Sequence, residues 1–193
     1  MGFWNEDLEK RTLQHPIEGY PPCSLSIKEL AMVRMVPFYR YRGSHGEHFY
    51  TSNAKEIGVS STTEGEVGSF NYSFEVIAGY LSNTQLDGMV PLIRYWNDVD
   101  HFYTINPDEI GTTNHGQTGN NGYHYEQLAG YCYSHPMTGW VPLYRYFKGY
   151  DHFYTTNPKE IGTTTPGQTG NHGYQFEQIA CYISPSSVAA VAV

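Results

Sequence analysis

The sequence predicts an all-β protein, a β-trefoil-like pseudo-three-fold repeat with short one-turn helices, and three observations carry that prediction. The 193-residue chain is 39% apolar and 16% aromatic, with eighteen tyrosines against five methionines, a balance that suits pleated sheet faces more than helical bundles. A segment of about 51 residues occurs three times, and self-similarity at such a period is the signature of a repeat architecture. Glycine and asparagine recur at the places where each copy must turn.

The copies align element by element. Val36-Pro-Phe-Tyr-Arg-Tyr41 returns as Val90-Pro-Leu-Ile-Arg-Tyr95 and Val141-Pro-Leu-Tyr-Arg-Tyr146, each strand-like in composition. An acid followed by His-Phe-Tyr-Thr comes next, at 47–51, 100–104 and 151–155, and is read as a second strand. Asn-Pro-x-Glu-Ile-Gly follows at 106–111 and 157–162, with Ala54 for the proline in the first copy. Asn as N-cap, Pro at the first helical position, Glu completing a capping box and Gly as the left-handed terminator together specify one helical turn. Glycine-rich loops at 116–122 and 167–173 come next, drifted in the first copy at 65–71. Each unit closes on an aromatic-x-aromatic-Glu run at 72–80, 123–131 and 174–182, read as two strands joined by a bend at the small residues.

Four strands per unit make twelve, and three-fold closure removes exposed edges, which favours the trefoil over a three-bladed or open array. The organisation is therefore an N-terminal arm at 1–35, a β domain at 36–183 with units at 36–89, 90–140 and 141–183, and a tail at 184–193. The tail suits a closing strand, a subunit contact or a disordered end.

These strings resemble a family of repeats of unknown function marked by VPLYRY, HFYTTNP and GYxYEGIAGY, often appended to secreted enzymes and wall-associated proteins. The resemblance covers about residues 36–183 and implies a modular, trefoil-like, surface-binding unit of lectin-like character. It carries no ligand and no contact residues with it. The ricin-type Gln-x-Trp string is absent, so a ricin-like sugar pocket does not transfer.

Composition narrows the function. A formal net charge of -8 repels phosphate backbones, so neither nucleic acid nor an anionic membrane is expected as partner. No stretch is long and apolar enough to span a bilayer. Residues 1–10 carry acids and no apolar run, so no secretory signal is expected, which points to the cytoplasm or to release by another route. Cys23, Cys132 and Cys181 have no metal-like spacing and read as reduced thiols. No catalytic or nucleotide-binding string is present, so the chain is read as a non-enzyme without cofactor or metal.

The expected function is carbohydrate binding at two or three equivalent weak sites, with glycans or glycoconjugates as partners and a homo-oligomer as a further option. Glu47, Asp100 and Asp151 stand at hairpin tips beside aromatic rings, where a carboxylate accepts two hydrogen bonds from neighbouring sugar hydroxyls. His48, His101 and His152 adjoin them. Asn120, Asn121, Asn171 and His172 offer donors and acceptors in the glycine-rich loops. These ten residues are the candidate ligand-binding set. Each has a structural reading too: acids and asparagines favour turns, and a histidine can satisfy a turn carbonyl. Arg40, Arg94 and Arg145 with Glu75, Glu126 and Glu177 are expected as structural pairs between strands. The alternative is an assembly protein whose arm and apolar tail make subunit contacts.

Overall fold

The computed structural model describes residues 35–59 and 64–188. The arm expected at 1–35, apart from Met35, and the tail beyond 188 lie outside the described residues, as does Cys23.

The described chain is all-β and forms one antiparallel sheet system of nine strands. The first unit holds β1 (Met35–Arg42), β2 (His48–Thr51) and β3 (Ser73–Ser82); the second holds β4 (Met89–Trp96), β5 (His101–Thr104) and β6 (His124–Tyr133); the third holds β7 (Val141–Phe147), β8 (His152–Thr155) and β9 (Gln175–Ile183). In each, the Val-Pro strand lies in the middle. It pairs with the short His-Phe-Tyr-Thr strand on one side, as in Arg40↔Tyr50, and with the long closing strand on the other, as in Phe38↔Gly79. The same register recurs as Arg94↔Tyr103 with Leu92↔Gly130, and as Arg145↔Tyr154 with Leu143↔Cys181.

The count is nine strands, where twelve were expected. The closing run does not split in two: the small residues at its centre make a bulge inside one continuous strand, marked by the register shift between Phe38 and Tyr39 against Gly79 and Ile77. Gly79 and Gly130 are small because the units crowd together there. A methyl group on Gly79 would lie 2.4 Å from Ile183 Cδ1, and one on Gly130 2.8 Å from Leu81 Cβ. With three strands per unit, the described pairings do not amount to a trefoil. Nor are the units an open row, because the third returns to the first. β3 meets β6 at Ser82↔Tyr131, β6 meets β9 at Tyr133↔Tyr182, and Ser184, the first residue of the expected tail, bridges Tyr80.

The one-turn helices form where expected, as 3₁₀ turns at Ala54–Glu56, Pro107–Glu109 and Pro158–Glu160. Asn53, Asn106 and Asn157 cap them by accepting from the backbone N–H two residues on. The anticipated capping box is not made. Glu56, Glu109 and Glu160 turn away to pair with an arginine of the next unit, a stronger partner than a cap amide because both groups are charged.

At the centre, three fully buried tyrosines join all three units. The Tyr50 hydroxyl donates to the Tyr154 carbonyl at 2.8 Å and accepts the Tyr154 N–H at 2.7 Å. Tyr103 does the same to Tyr50 at 2.6 and 2.8 Å, and Tyr154 to Tyr103 at 2.9 and 2.8 Å. The rings meet edge to face with centroids 5.3–5.5 Å apart, the arrangement that aromatic quadrupoles favour. Burial pushes all three phenols well above the usual tyrosine range, so each keeps its proton as a donor. Phe38, Leu92 and Leu143 pack around this ring, and each unit keeps a smaller aromatic cluster of its own, such as Tyr41, Phe49, Ile57 and Phe74.

Tyr103→Phe keeps the ring but strands the buried N–H and C=O of Tyr50. The expected cost is about 2–4 kcal/mol, read as a lower urea midpoint at unchanged slope. A variant as stable as the parent would show that the hydroxyl ring is dispensable.

Candidate functional site

The hairpin acids are handed from unit to unit. Asp151 Oδ1 accepts the His48 N–H at 2.7 Å, and Oδ2 meets His48 Nδ1 at 2.7 Å. Asp100 holds His152 in the same way, with its backbone N–H at 2.9 Å and Nδ1 at 2.5 Å, and Glu47 pairs with His101 Nδ1. Each acid also accepts a phenol of its own unit: Tyr72 on Glu47 at 2.6 Å, Tyr123 on Asp100 at 2.6 Å, and Tyr174 on Asp151. The other imidazole edge faces a carboxylate of its own unit, with Nε2 3.6 Å from Glu75, Glu126 and Glu177 in turn.

The arginines travel in the same direction. Arg40, Arg94 and Arg145 pair through Nε with Glu75, Glu126 and Glu177 at 2.7–2.8 Å, as expected from the sequence. Their outer nitrogens reach back to the cap-turn glutamates of the preceding unit: Arg40 to Glu160 at 3.0 Å, Arg94 to Glu56 at 2.8 Å and Arg145 to Glu109 at 3.0 Å. Each guanidinium also covers the preceding unit's phenylalanine, 4.7–4.8 Å from the ring centres of Phe153, Phe49 and Phe102.

These contacts leave a cleft at every junction between units. The first, between units one and two, is about 540 Å³ and lined by Phe49, Phe70, Tyr72, Trp96, His101 and Glu126 among others. The second, between units two and three, is about 450 Å³, with Asp100, Asn121, Tyr123, Phe147, His152 and Glu177. The third, between units three and one, is about 420 Å³, with Arg42, His48, Glu75, Tyr150, His172 and Tyr174. All fall in the size range of small-molecule sites. Every floor carries the same phenol, imidazole and glutamate, and the walls differ.

One wall is the residue after the shared Arg-Tyr pair: Trp96, Phe147 or Arg42. Trp96 lies over the His101 ring at 4.3 Å and Phe147 over His152 at 4.5 Å. The other wall comes from a second 3₁₀ turn, at Ser69–Asn71, Asn120–Gly122 and Asn171–Gly173. That turn is pinned to the cap turn: Ser69, Asn120 and Asn171 each donate a backbone N–H to Ile57, Ile110 and Ile161 at 2.7 Å. The glycine before it permits the approach, since a methyl group on Gly119 would sit 2.2 Å from the Ile110 carbonyl oxygen. The residue thus raised into the cleft, Phe70, Asn121 or His172, sits in the left-handed region at φ 58°, 54° and 58°. Asparagine tolerates that conformation; for phenylalanine it is strained.

The candidate residues therefore separate. Glu47, His48, Asp100, His101, Asp151 and His152 are all buried, and their first role is to join units. The three imidazoles and Asp100 still form part of the cleft surfaces. Asn121 and His172 stand on the walls, whereas Asn120 and Asn171 spend their side-chain amides on the Glu109 and Glu160 carbonyls at 3.1 and 3.2 Å. Missing from the set are Arg42, Phe70, Trp96, Phe147 and Tyr150. Their signal in the sequence is disagreement between copies at matched positions, whereas the candidates were chosen largely where copies agree.

Among the described residues no His, Cys, Asp and Glu cluster is placed to hold a metal, and no helix is long and apolar enough to cross a membrane. Cys132 and Cys181 are free and buried in the core. A domain model of unknown function, DUF5648, matches residues 37–184. The chain belongs to the DUF5648 family. No curated protein and no solved structure matches it.

Burial alone would raise the Asp151 carboxyl, but the hydrogen bonds from His48 and Tyr174 hold it below its ordinary 3.8. Glu56, Glu109 and Glu160 are likewise opposed by burial and held below 4.5 by their arginines. A carboxyl depressed in the fold stabilises it above the unfolded value and ceases to do so as pH falls through the folded one. Calorimetry is expected to give a level melting temperature from neutral pH down to about 5 and a falling one below, as the junctions protonate. A melting temperature unchanged to pH 3 would contradict this placement of charge.

Proposed function

We propose that this DUF5648 protein binds carbohydrate without catalysis, one saccharide unit in each inter-unit cleft. The observation that carries the reading is the composition of the first two clefts. An aromatic plate, Trp96 or Phe147, stands beside a floor of glutamate, imidazole and phenol. An aromatic face packs on the C–H side of a pyranose, and a carboxylate accepts hydrogen bonds from adjacent hydroxyls. The strain at Phe70, whose side chain is 82% exposed, supports the same reading, because an exposed ring held in a costly conformation contributes little to the core.

Two features favour binding over hydrolysis. A glycosidase needs one carboxyl raised as acid opposite a second carboxylate, whereas Glu56 and Glu160, on the first and third clefts, are depressed by arginine. The imidazoles already spend Nδ1 on an acid. Three sites on one body gain avidity on multivalent glycans through effective concentration.

A glycan array probed with the full chain tests the reading. Binding to neutral glycans is expected, weakened about tenfold by Trp96→Ala, the scale of one lost stacking contact. Silence across the array from folded protein would sink it. Phe70→Gly is expected to weaken the same binding while leaving stability unchanged or raised by up to about 1 kcal/mol, as relief of left-handed strain. Marked destabilisation by that change would instead assign Phe70 to the core.

A further inference from the structure

We infer that the third cleft, between units three and one, takes an acidic saccharide, one bearing a carboxylate or sulfate, and so differs in specificity from the other two. The inference rests on the carbohydrate reading of the clefts and assigns the ligand class of one of them.

The three positions that vary around the shared floor change together. In the first cleft the walls are Phe70 and Trp96, and the residue opening the hairpin before it is Gly43. In the second they are Asn121, Phe147 and Asn97. In the third all three carry nitrogen bases: His172, Arg42 and Lys148. A single basic replacement is ordinary surface variation, but Arg42 and Lys148 together change the charge of one cavity, and His172 adds a ring nitrogen to the same wall.

The balance of lining charges follows. The first cleft presents one cation, Arg94, against Glu56 and Glu126. The second presents Asp100 and Glu177 with no Lys or Arg among its lining residues. The third presents Arg40, Arg42 and Lys148 against Glu75 and Glu160. Both of those glutamates are bonded to Arg40, and three cations against two carboxylates leave the third lining with an excess of one positive charge, where the first and second linings are net negative. Neither Arg42 nor Lys148 forms an ion pair among the described residues; Lys148 Nζ lies 5.7 Å above the Tyr174 ring. An anion entering this cleft meets two cations that no carboxylate of the described residues holds, and Arg42 matches a carboxylate or sulfate through two parallel N–H groups.

The third cleft also keeps an aromatic surface for the sugar body. Arg42 replaces the plate supplied by Trp96 or Phe147 elsewhere, but Tyr150, which also borders the second cleft, stands on the opposite side, where the other units have Gly46 and Val99. Its ring is half exposed, and its hydroxyl lies 3.7 Å from where a methyl group on Gly46 would sit, so it bridges the junction. A ring for the pyranose face and a cationic fork for its acidic substituent are thus in one cavity.

Nuclear magnetic resonance titrations of the full chain test this with four probes: a uronate disaccharide, a sulfated disaccharide, the neutral parent disaccharide, and free sulfate with acetate. At least one acidic disaccharide is expected to bind at least tenfold more tightly than the neutral parent at the third cleft, moving the Arg42 and His172 amides and leaving the Asn121 amide and the Trp96 indole signal in place. Affinity is expected to fall with added salt, and Arg42→Ala with Lys148→Ala to lower it about tenfold or more, with melting temperature and spectrum confirming the fold. Equal binding of free sulfate or acetate would reduce the site to a simple anion site and overturn the inference. So would an acidic disaccharide that moves Trp96 and not Arg42, or an affinity indifferent to the double substitution. Neutral sugars binding while acidic ones do not would overturn this inference alone; no saccharide binding at all would overturn the carbohydrate reading with it.

Discussion

The ring of three tyrosines is the constraint on which the rest depends. Each phenol satisfies both the N–H and the C=O of the preceding unit's tyrosine, so no unit completes its own backbone bonding at the centre. Unsatisfied groups there would cost about 1–3 kcal/mol each, which makes the three units one cooperative body. With the centre closed, the outward-running partners follow: each hairpin acid lies against the next unit's histidine, and each arginine against the preceding unit's cap glutamate. The clefts are what remains between these contacts, so their floors are shared and only their rims are free to differ.

The division between floor and rim explains how one repeat gives rise to clefts of unlike chemistry. Floor residues are tied on two sides, as His48 is by Asp151 and, more loosely, Glu75. Replacing one would break a junction. Rim residues sit on a strand end or on a 3₁₀ turn whose backbone is fixed elsewhere, by the amide bonded to Ile57, Ile110 or Ile161. Their side chains change at little cost to the fold, and Phe70, Asn121 and His172 show the range. The strain at Phe70 is retained in the one cleft with two large apolar walls.

Much of this was legible in the sequence. The three-fold pattern, the asparagine caps, the left-handed glycines after them and the pairs Arg40–Glu75, Arg94–Glu126 and Arg145–Glu177 follow from local chemistry and strand register. What was hidden is what crosses between units. Glu56 satisfies the capping-box pattern, yet its partner is Arg94, because nothing local reveals a guanidinium arriving from another unit. Asp151 meets His48 across more than half the chain, and identical copies give no sign of which copy an acid faces. The same identity concealed the clefts: resemblance between copies reports the scaffold, and the variable rim lies where Arg42, Trp96 and Phe147 part company. The expected fourth strand failed for a related reason, since the small residues at Gly79 and Gly130 answer to a neighbouring unit, not to a bend in their own.

Native-state hydrogen exchange tests most directly whether closure through the centre holds the three units as one. The amides of Tyr50, Tyr103 and Tyr154, which donate to phenols, and those of His48 and His152, which donate to the acids of another unit, are the reporters. All five are expected to exchange with one common free energy and a urea dependence equal to that of global unfolding. Exchange of the His48 and Tyr154 amides by a separate, urea-insensitive opening, with the others still protected, would show that the third unit is not closed onto the first.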